Sequence, residues 1–308
     1  MSKTKTYGKF IRLIWLAFGS LILGTVIIFG AASLGLLGPM PDFRQLENPK
    51  TNLATQIISS DDTVLGKFYF NDNRTPISFD EIPTEMIEAL VATEDERFYS
   101  HPGIDLKATL RAIVFLNTRG GASTISQQLA RQLFVGVRSR NIIQAVGQKI
   151  KEWVIAVELE KQYTKEEIIT MYLNIYDFGY YGDGIKSASN IYFSKEPIDL
   201  KIEESAMLIG LLPSPANYSP LRNLTTAIGR RSIVLKLMYN QDFISYQEYM
   251  EHNSIVPDNI YYEIPKGKAP YFAEHVRRIL EQQDEQLGIN IYQDGLKIHT
   301  TLDYRYKK

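Results

Sequence analysis

Twenty-five consecutive residues, Leu13 to Leu37, carry no charge. As a helix this run measures ~38 Å at 1.5 Å per residue, and a bilayer core of roughly 30 Å needs about 20 apolar residues. Lys3, Lys5, Lys9 and Arg12 precede the run, and Asp42 is the first charge after it. Pro39 and Pro41 stop the helix. Positive charge on the N-terminal side predicts that residues 1–12 stay in the cytoplasm and that the rest of the chain lies outside. A cleaved signal peptide is the competing reading, since Gly30-Ala31-Ala32-Ser33 offers small residues. Its apolar core, however, usually runs to about 7–15 residues. The expectation is an uncleaved anchor spanning 13–37.

The remainder is long enough for one large or two modest domains. A hydrophobic share of 44% supports a packed core, and the net charge of -1 singles out no partner. The chain has no cysteine, which excludes a disulfide framework and a thiolate metal site. Its four histidines show no metal-ligand spacing. Ala54–Ser59 and Val64–Phe70 are apolar runs around Asp61-Asp62, a hairpin pattern. From Pro83 the periodicity turns helical. Thr84 is the expected N-cap of a helix through Thr93, and Asp105 caps Leu106 to Leu116. Thr124 with Gln127, Thr164 with Glu167, and Ser245 with Glu248 read as capping boxes. Asn141 to Lys161 is one amphipathic segment, and residues 202–212 form a short helix stopped by Pro213. A helix around Ala273–Gln282 and an alternating strand, Leu296–Leu302, complete the pattern. A strand needs partners, and the sequence stops six residues after Leu302, so the tail is expected to be a domain cut short.

Chemistry concentrates in two stretches. Glu94-Asp95-Glu96-Arg97-Phe98-Tyr99-Ser100-His101-Pro102-Gly103 puts three acids at a helix end and a histidine before a turn. Crowded carboxylates repel one another, which raises at least one pKa and suits a general base. For His101, fixing the turn by hydrogen bonding is the simpler role. About twenty residues on, Gly121-Ala122-Ser123-Thr124-Ile125-Ser126-Gln127-Gln128 is a small, hydroxyl-rich run leading into glutamines. Between His101 and Lys151 stand Lys107, Arg111, Arg119, Arg131, Arg138, Arg140, Lys149 and Lys151, against Asp105 alone. Such an excess is either a solvated face or a surface for an anionic ligand. Arg138 and Arg140 fall in a loop and are expected to matter less. Glu152, beside Trp153 and Val154, is either a salt-bridge partner or a functional group. Two carboxylates from separate helices are what carbohydrate chemistry uses across a scissile bond.

These two stretches, in this order, resemble the first two motifs of the peptidoglycan glycosyltransferases, the lysozyme-like domain of class A penicillin-binding proteins. The resemblance extends over residues 84 to about 240. Gln148-Lys149-Ile150-Lys151-Glu152 is similar to the third motif. Tyr172-Leu173-Asn174 with Gly182-Asp183-Gly184-Ile185 and Ala188 is similar to the fourth. Glu204 to Pro213 with Pro215, Tyr218 and Pro220 is similar to the fifth. Gly295-Leu296 and Thr300-Thr301-Leu302-Asp303 resemble the linker toward the family's transpeptidase domain, whose Lys-Thr-Gly does not occur in this sequence.

The resemblance implies a mainly α, lysozyme-like domain behind one transmembrane helix, with a short β-containing C-terminal linker. The implied map is a cytoplasmic tip at 1–12, the anchor at 13–37 and a β-rich or irregular segment at 38–80. The glycosyltransferase domain follows at 81–250 and the linker at 251–308. The implied reaction polymerises lipid II on the outer face of the bacterial cytoplasmic membrane. The lipid-linked chain is the donor, the GlcNAc 4-hydroxyl of lipid II is the acceptor, and undecaprenyl diphosphate leaves with inversion. Glu94 matches the general base and Glu152 the second catalytic carboxylate. Asp95, Phe98, His101, Gly121, Ser123, Thr124, Gln127, Gln128, Arg131 and Lys149 match substrate-binding positions. No cofactor is required; a divalent cation, magnesium or manganese, is left open. The partners implied are lipid II, the growing glycan, the membrane and other cell-wall synthesis proteins, with no nucleic acid. Ala122, Arg131-Gln132 and Gln148 depart from the common Gly, Lys-Asn and Arg. Gln148 loses a cation, so the arginine's role is not carried to it. A membrane-anchored scaffold without catalysis and a lysozyme-like hydrolase are the alternatives.

Overall fold

A computed structural model of the chain describes residues 3–35, 55–68, 74–114, 121, 123–180, 182–257, 268–281, 288–289 and 294–306. The chain forms two compact units, one of Met1–Pro49, Pro102–Ile104 and Ser126–Gln162, the other of Lys50–His101, Asp105–Ile125 and Tyr163–Lys308. As expected from the sequence, the chain is mainly α-helical, with an apolar N-terminal helix and a short C-terminal β region.

The first unit holds α1 (Lys3–Ser33), most of α4 (Ile125–Ala130) and α5 (Ile142–Gln162). Within α1, Gly8–Ala31 has a mean hydropathy of 2.3 and is long and apolar enough to cross a membrane. The helix starts earlier and stops sooner than the uncharged run suggests. Leu34 and Gly35 form a turn, with Gly35 at φ 76°. A left-handed glycine just past the last turn is a common helix stop. Pro39 and Pro41 lie outside the described residues. Near the end of α1, Phe29 stacks on Trp153 of α5, ring centroids 5.9 Å apart. The α5 helix opens on Asn141, whose Oδ1 accepts from the N–H groups of Ile143 and Gln144. It buries Glu152, Ile155, Ala156 and Leu159. Gly103 packs so closely on this face that a Cβ would stand 2.8 Å from the Ala156 carbonyl oxygen, and its φ is +90°. Both facts call for glycine.

In the second unit, α2 (Thr84–Glu94), α8 (Ile202–Leu211) and α9 (Leu224–Asn240) pack on one another. Met86, Ala89 and Leu90 meet a core that also contains Ala206, Leu208, Val234, Leu235 and Met238, all fully buried. Thr84 is the first residue of α2 rather than its cap; Pro83 occupies the cap position. The helices α3 (Leu106–Val114), α6 (Lys165–Ile175), α7 (Ile185–Phe193) and α10 (Tyr246–Ser254) complete this helical body. Thr164 with Glu167 and Ser245 with Glu248 are capping boxes as expected. The Gln127 side chain, expected in a box with Thr124, accepts from Lys149 and donates to the Gly103 carbonyl. Neither α7 nor α9 is foreseen in the sequence.

The same unit contains a three-stranded sheet in the order β2-β1-β3. Strands β1 (Thr55–Ile58) and β2 (Val64–Phe68) form the expected antiparallel hairpin. Strand β3 (Lys297–His299) pairs in parallel with β1, so the strand of the tail finds its partner near the other end of the sequence. Helix α11 (Pro270–Glu281) covers the sheet, with Ile57, Leu65, Ala269 and Ala273 forming a small separate core.

Gly184 sits at φ +78°, where a Cβ would lie 2.4 Å from the Asn174 carbonyl oxygen. The Asn174 side chain is itself bonded to both backbone groups of Ile77. Gly184→Ala is therefore expected to cost about 2–3 kcal/mol through backbone strain. Thermal unfolding should show a drop of several degrees; a loss under about 1 °C would mean that the 177–184 segment yields without cost.

Candidate active site

The Glu94 segment and the Gly121 segment come together in the second unit. Helix α2 ends at Glu94, and Asp95 caps it, its N–H donating to the Val91 carbonyl. The Asp95 carboxylate is buried. Nε2 of His101 lies 3.0 Å from its Oδ1 and 3.1 Å from its Oδ2, and the Ile125 N–H donates to Oδ2 at 3.0 Å. Arg97 donates to Glu96 at 2.9 Å and to Asp105 at 2.6 Å. Asp105 in turn accepts from the Ala108 N–H, as expected of the α3 cap. Burial raises the Asp105 pKa, but the Ala108 N–H and Arg97 outweigh it and hold the carboxyl below its ordinary range. The crowding read from the sequence is thus relieved, Asp95 by His101 and a backbone N–H, Glu96 by Arg97.

Phe98 is fully buried, with the Lys165 ammonium 4.2 Å from its ring centroid. The same ammonium donates to the His101 carbonyl at 2.7 Å. Phe98 and His101 therefore brace the turn from behind. In front lies a cleft of about 260 Å³. Glu94 and Asp95 line it, as do Gly121, Ser123, Thr124 and Arg111. Thr93, Leu237 and Gln241 line it too, and no motif pointed to them.

A second cluster lies within the first unit. Glu152 is 2% exposed, and Nζ of Lys149 donates to its Oε2 at 2.9 Å. The same ammonium donates to Gln127 Oε1 at 3.0 Å, while Gln127 Nε2 donates to the Gly103 carbonyl. Burial pushes the Lys149 pKa below its ordinary 10.5; Glu152 opposes the shift, and Arg138 and Arg131 add to it. Gln128 lies on α4, and Arg131 opens the wide π turn Arg131–Val135 that follows; both are half-buried.

Arg138, in the loop expected to matter less, has its Nη2 3.6 Å from Glu152 Oε1. Gln148 explains how the loop is held. It accepts from the Ser139 N–H at 2.8 Å and donates to the Val137 carbonyl at 3.0 Å, one bond on either side of Arg138. The basic stretch includes Arg138, but its pairing with Glu152, fourteen residues away, has no local sequence signal. Arg119 lies outside the described residues.

The structure thus joins Glu94, Asp95, Gly121, Ser123 and Thr124 around one cleft, and Gln127, Lys149 and Glu152 in one bonded cluster. A buried carboxylate facing two cations can order an anionic ligand. A carboxylate on an open cleft can take a proton.

Comparison with known proteins fits this arrangement. A family model described as "Transglycosylase" matches residues 61–239. Penicillin-binding protein 1A of Escherichia coli is 33% identical over 96% of this chain and 34% of its own length. Penicillin-binding protein 1A of Pseudomonas aeruginosa is 33% identical over 96% of this chain and 35% of its own. Among solved structures, penicillin-binding protein 1A of Haemophilus influenzae gives a TM-score of 0.44 at 24% identity, over 83% of this chain and 28% of that one. The chain spans about a third of the length of the curated relatives it matches. With the match covering more than half of its residues, the chain belongs to the transglycosylase family.

Proposed function

We propose that the chain polymerises lipid II into glycan strands, releasing undecaprenyl diphosphate. The observation that carries this reading is the convergence of Glu94 with Gly121, Ser123 and Thr124 on one cleft. Glu94 takes the proton from the GlcNAc 4-hydroxyl of the acceptor as that oxygen attacks the anomeric carbon of the donor. Attack opposite the leaving group inverts the anomeric centre. The departing diphosphate gains negative charge, which Lys149 and Arg138 meet while Glu152 holds both in place. Asp95, Phe98 and His101 act by shaping the turn after Glu94. No resident cofactor takes part in these steps; a magnesium or manganese ion would arrive with the diphosphate oxygens as ligands. Lipid II, the lipid-linked glycan, the membrane and other cell-wall synthesis proteins are the partners this reading names.

We place the protein in the bacterial cytoplasmic membrane, with residues 1–12 inside and the catalytic residues outside. The α1 helix supports this, as do Val137, Ile142 and Ile143 of the same unit, which are at least 80% exposed. Apolar surface of that kind marks a membrane or protein contact. A reporter fused after residue 257 should work only if it is active outside the cytoplasm; an active cytoplasmic reporter would overturn the topology.

Glu94→Gln keeps the shape of the side chain and loses the proton acceptor. Lipid II polymerisation should fall roughly 10²–10⁴-fold, with stability within about 0.5 kcal/mol of wild type. Residual activity within about threefold of wild type would count against Glu94 as the base. Product analysis also separates the alternatives: a hydrolase shortens preformed glycan, and a scaffold makes no product.

Lys149→Ala removes a charge-assisted contact, typically worth about 1.5–3 kcal/mol. Arg138→Ala should weaken the donor side less, because its side chain is half exposed and salt screens it. Glu152→Gln should impair both by releasing the cations. Steady-state rates on lipid II at two ionic strengths check this order. Silence of Lys149→Ala, together with loss of activity in Arg140→Ala, would move the diphosphate site to the loop.

A further inference from the structure

We propose that Thr93, Leu237 and Gln241 form a subsite that reads the acetamido group of the acceptor sugar. It rests on the lipid II reading above and adds what that reading leaves open, how the cleft selects a 2-acetamido sugar. All three residues line the cleft that holds Glu94.

Gln241 is the C-cap residue of α9, and its Nε2 donates to the Ala92 carbonyl at 2.9 Å. Ala92 lies in the last turn of α2, where carbonyls lack helical partners. A carbonyl only accepts, so this bond orients the amide, with nitrogen toward Ala92 and Oε1 left as an acceptor. Oε1 has no partner among the described residues. Thr93 immediately precedes Glu94. Its Oγ1 is withdrawn from water and likewise has no hydrogen-bond partner among the described residues. A hydroxyl kept in that state is costly unless a ligand completes it. Threonine in a helix has two accessible χ1 wells, and the proposed subsite uses the one that turns the hydroxyl into the cleft. Leu237 lies one helical turn before Gln241 and presents an apolar surface on the same side.

The wall therefore offers one acceptor, one donor and one apolar patch. An acetamido group offers the complement: an N–H for Gln241 Oε1, a carbonyl oxygen for Thr93 Oγ1 and a methyl for Leu237. A 2-hydroxyl could use the two polar groups and would leave Leu237 uncovered. A 2-ammonium only donates; it could give protons to Gln241 Oε1 and Thr93 Oγ1, but it would leave the Thr93 O–H without an acceptor and Leu237 without a methyl. The subsite would fix the acceptor ring relative to Glu94, so Thr93, Leu237 and Gln241 are positioning residues.

Two measurements on the full chain in detergent test this. In steady-state kinetics on lipid II, Thr93→Val and Leu237→Ala should each raise KM about tenfold, the usual scale for one lost small contact, with kcat within about twofold. Thr93→Ser should restore the wild-type KM. In saturation-transfer NMR, N,N′-diacetylchitobiose should receive magnetisation mainly at its acetamido methyls and outcompete cellobiose. Thr93→Val and Leu237→Ala should abolish that signal, while Glu94→Gln should keep it. Wild-type protein that shows this NMR pattern and does not polymerise lipid II would overturn the polymerase reading and leave the subsite standing. Polymerisation with unchanged KM in both variants, or with chitobiose and cellobiose binding alike or not at all, would overturn the subsite.

Discussion

The buried Asp95 carboxylate joins two segments that are 30 residues apart, one ending in α2 and the other opening α4. Burying that charge would be prohibitive without partners. It has them on two sides, the ring of His101 and the Ile125 N–H. The second partner is one of the N–H groups that a helix start leaves unpaired, and a carboxylate there also meets the favourable end of the helix dipole. One interaction thus caps α4, anchors the turn at His101 and sets the point from which Glu94 projects. The cleft follows from it, since Gly121, Ser123 and Thr124 reach their places through the backbone that Ile125 secures. Arg97 and Asp105 repeat the arrangement one layer out, with Asp105 capping α3 while holding the arginine that neutralises Glu96.

Glu152 organises the first unit by a similar rule with a different result. A buried ion pair gains little over its desolvation cost unless its geometry and hydrogen bonds are complete. Lys149 meets this condition by sharing its protons between Glu152 and Gln127. Arg138 adds a second, more exposed cation at a longer distance. Two cations facing one carboxylate leave the cluster net positive. That excess is what the proposed diphosphate site would use.

Much of the fold was legible in the sequence where the local chemistry is self-contained. The boxes at Thr164 and Ser245, the α3 cap at Asp105 and the hairpin around Asp61 each need only residues within a few positions of one another. What was not legible depends on distant partners. The partner of strand β3 does not show because β1 lies some 240 residues earlier in the chain. Gln127 reads as a capping residue, and the bonds of its amide to Lys149 and Gly103 are not visible in the sequence. Helix α9 carries no clear signal because its residues face at least three other helices, α2, α8 and α10, which blurs the 3.6-residue period. For the candidate site, the motif residues were found by resemblance and by crowded charge. Arg138 stands out only as one of the basic stretch, and Thr93, Leu237 and Gln241 have no local mark, since only tertiary packing gives them a common neighbour.

Gln148 shows how a departure from the family pattern can be absorbed. At this position the resemblance calls for an arginine, and its loss removes one positive charge from the basic stretch. The glutamine is not idle: its two bonds pin the backbone immediately before and after Arg138. An arginine has donors only and could not accept from the Ser139 N–H. The exchange therefore gives up a charge on α5 and fixes the loop backbone on either side of Arg138, close to Glu152. A restrained cation loses less conformational freedom on meeting an anion than a free one does. The net charge of the cluster falls by one, while the backbone that carries Arg138 is held on both sides.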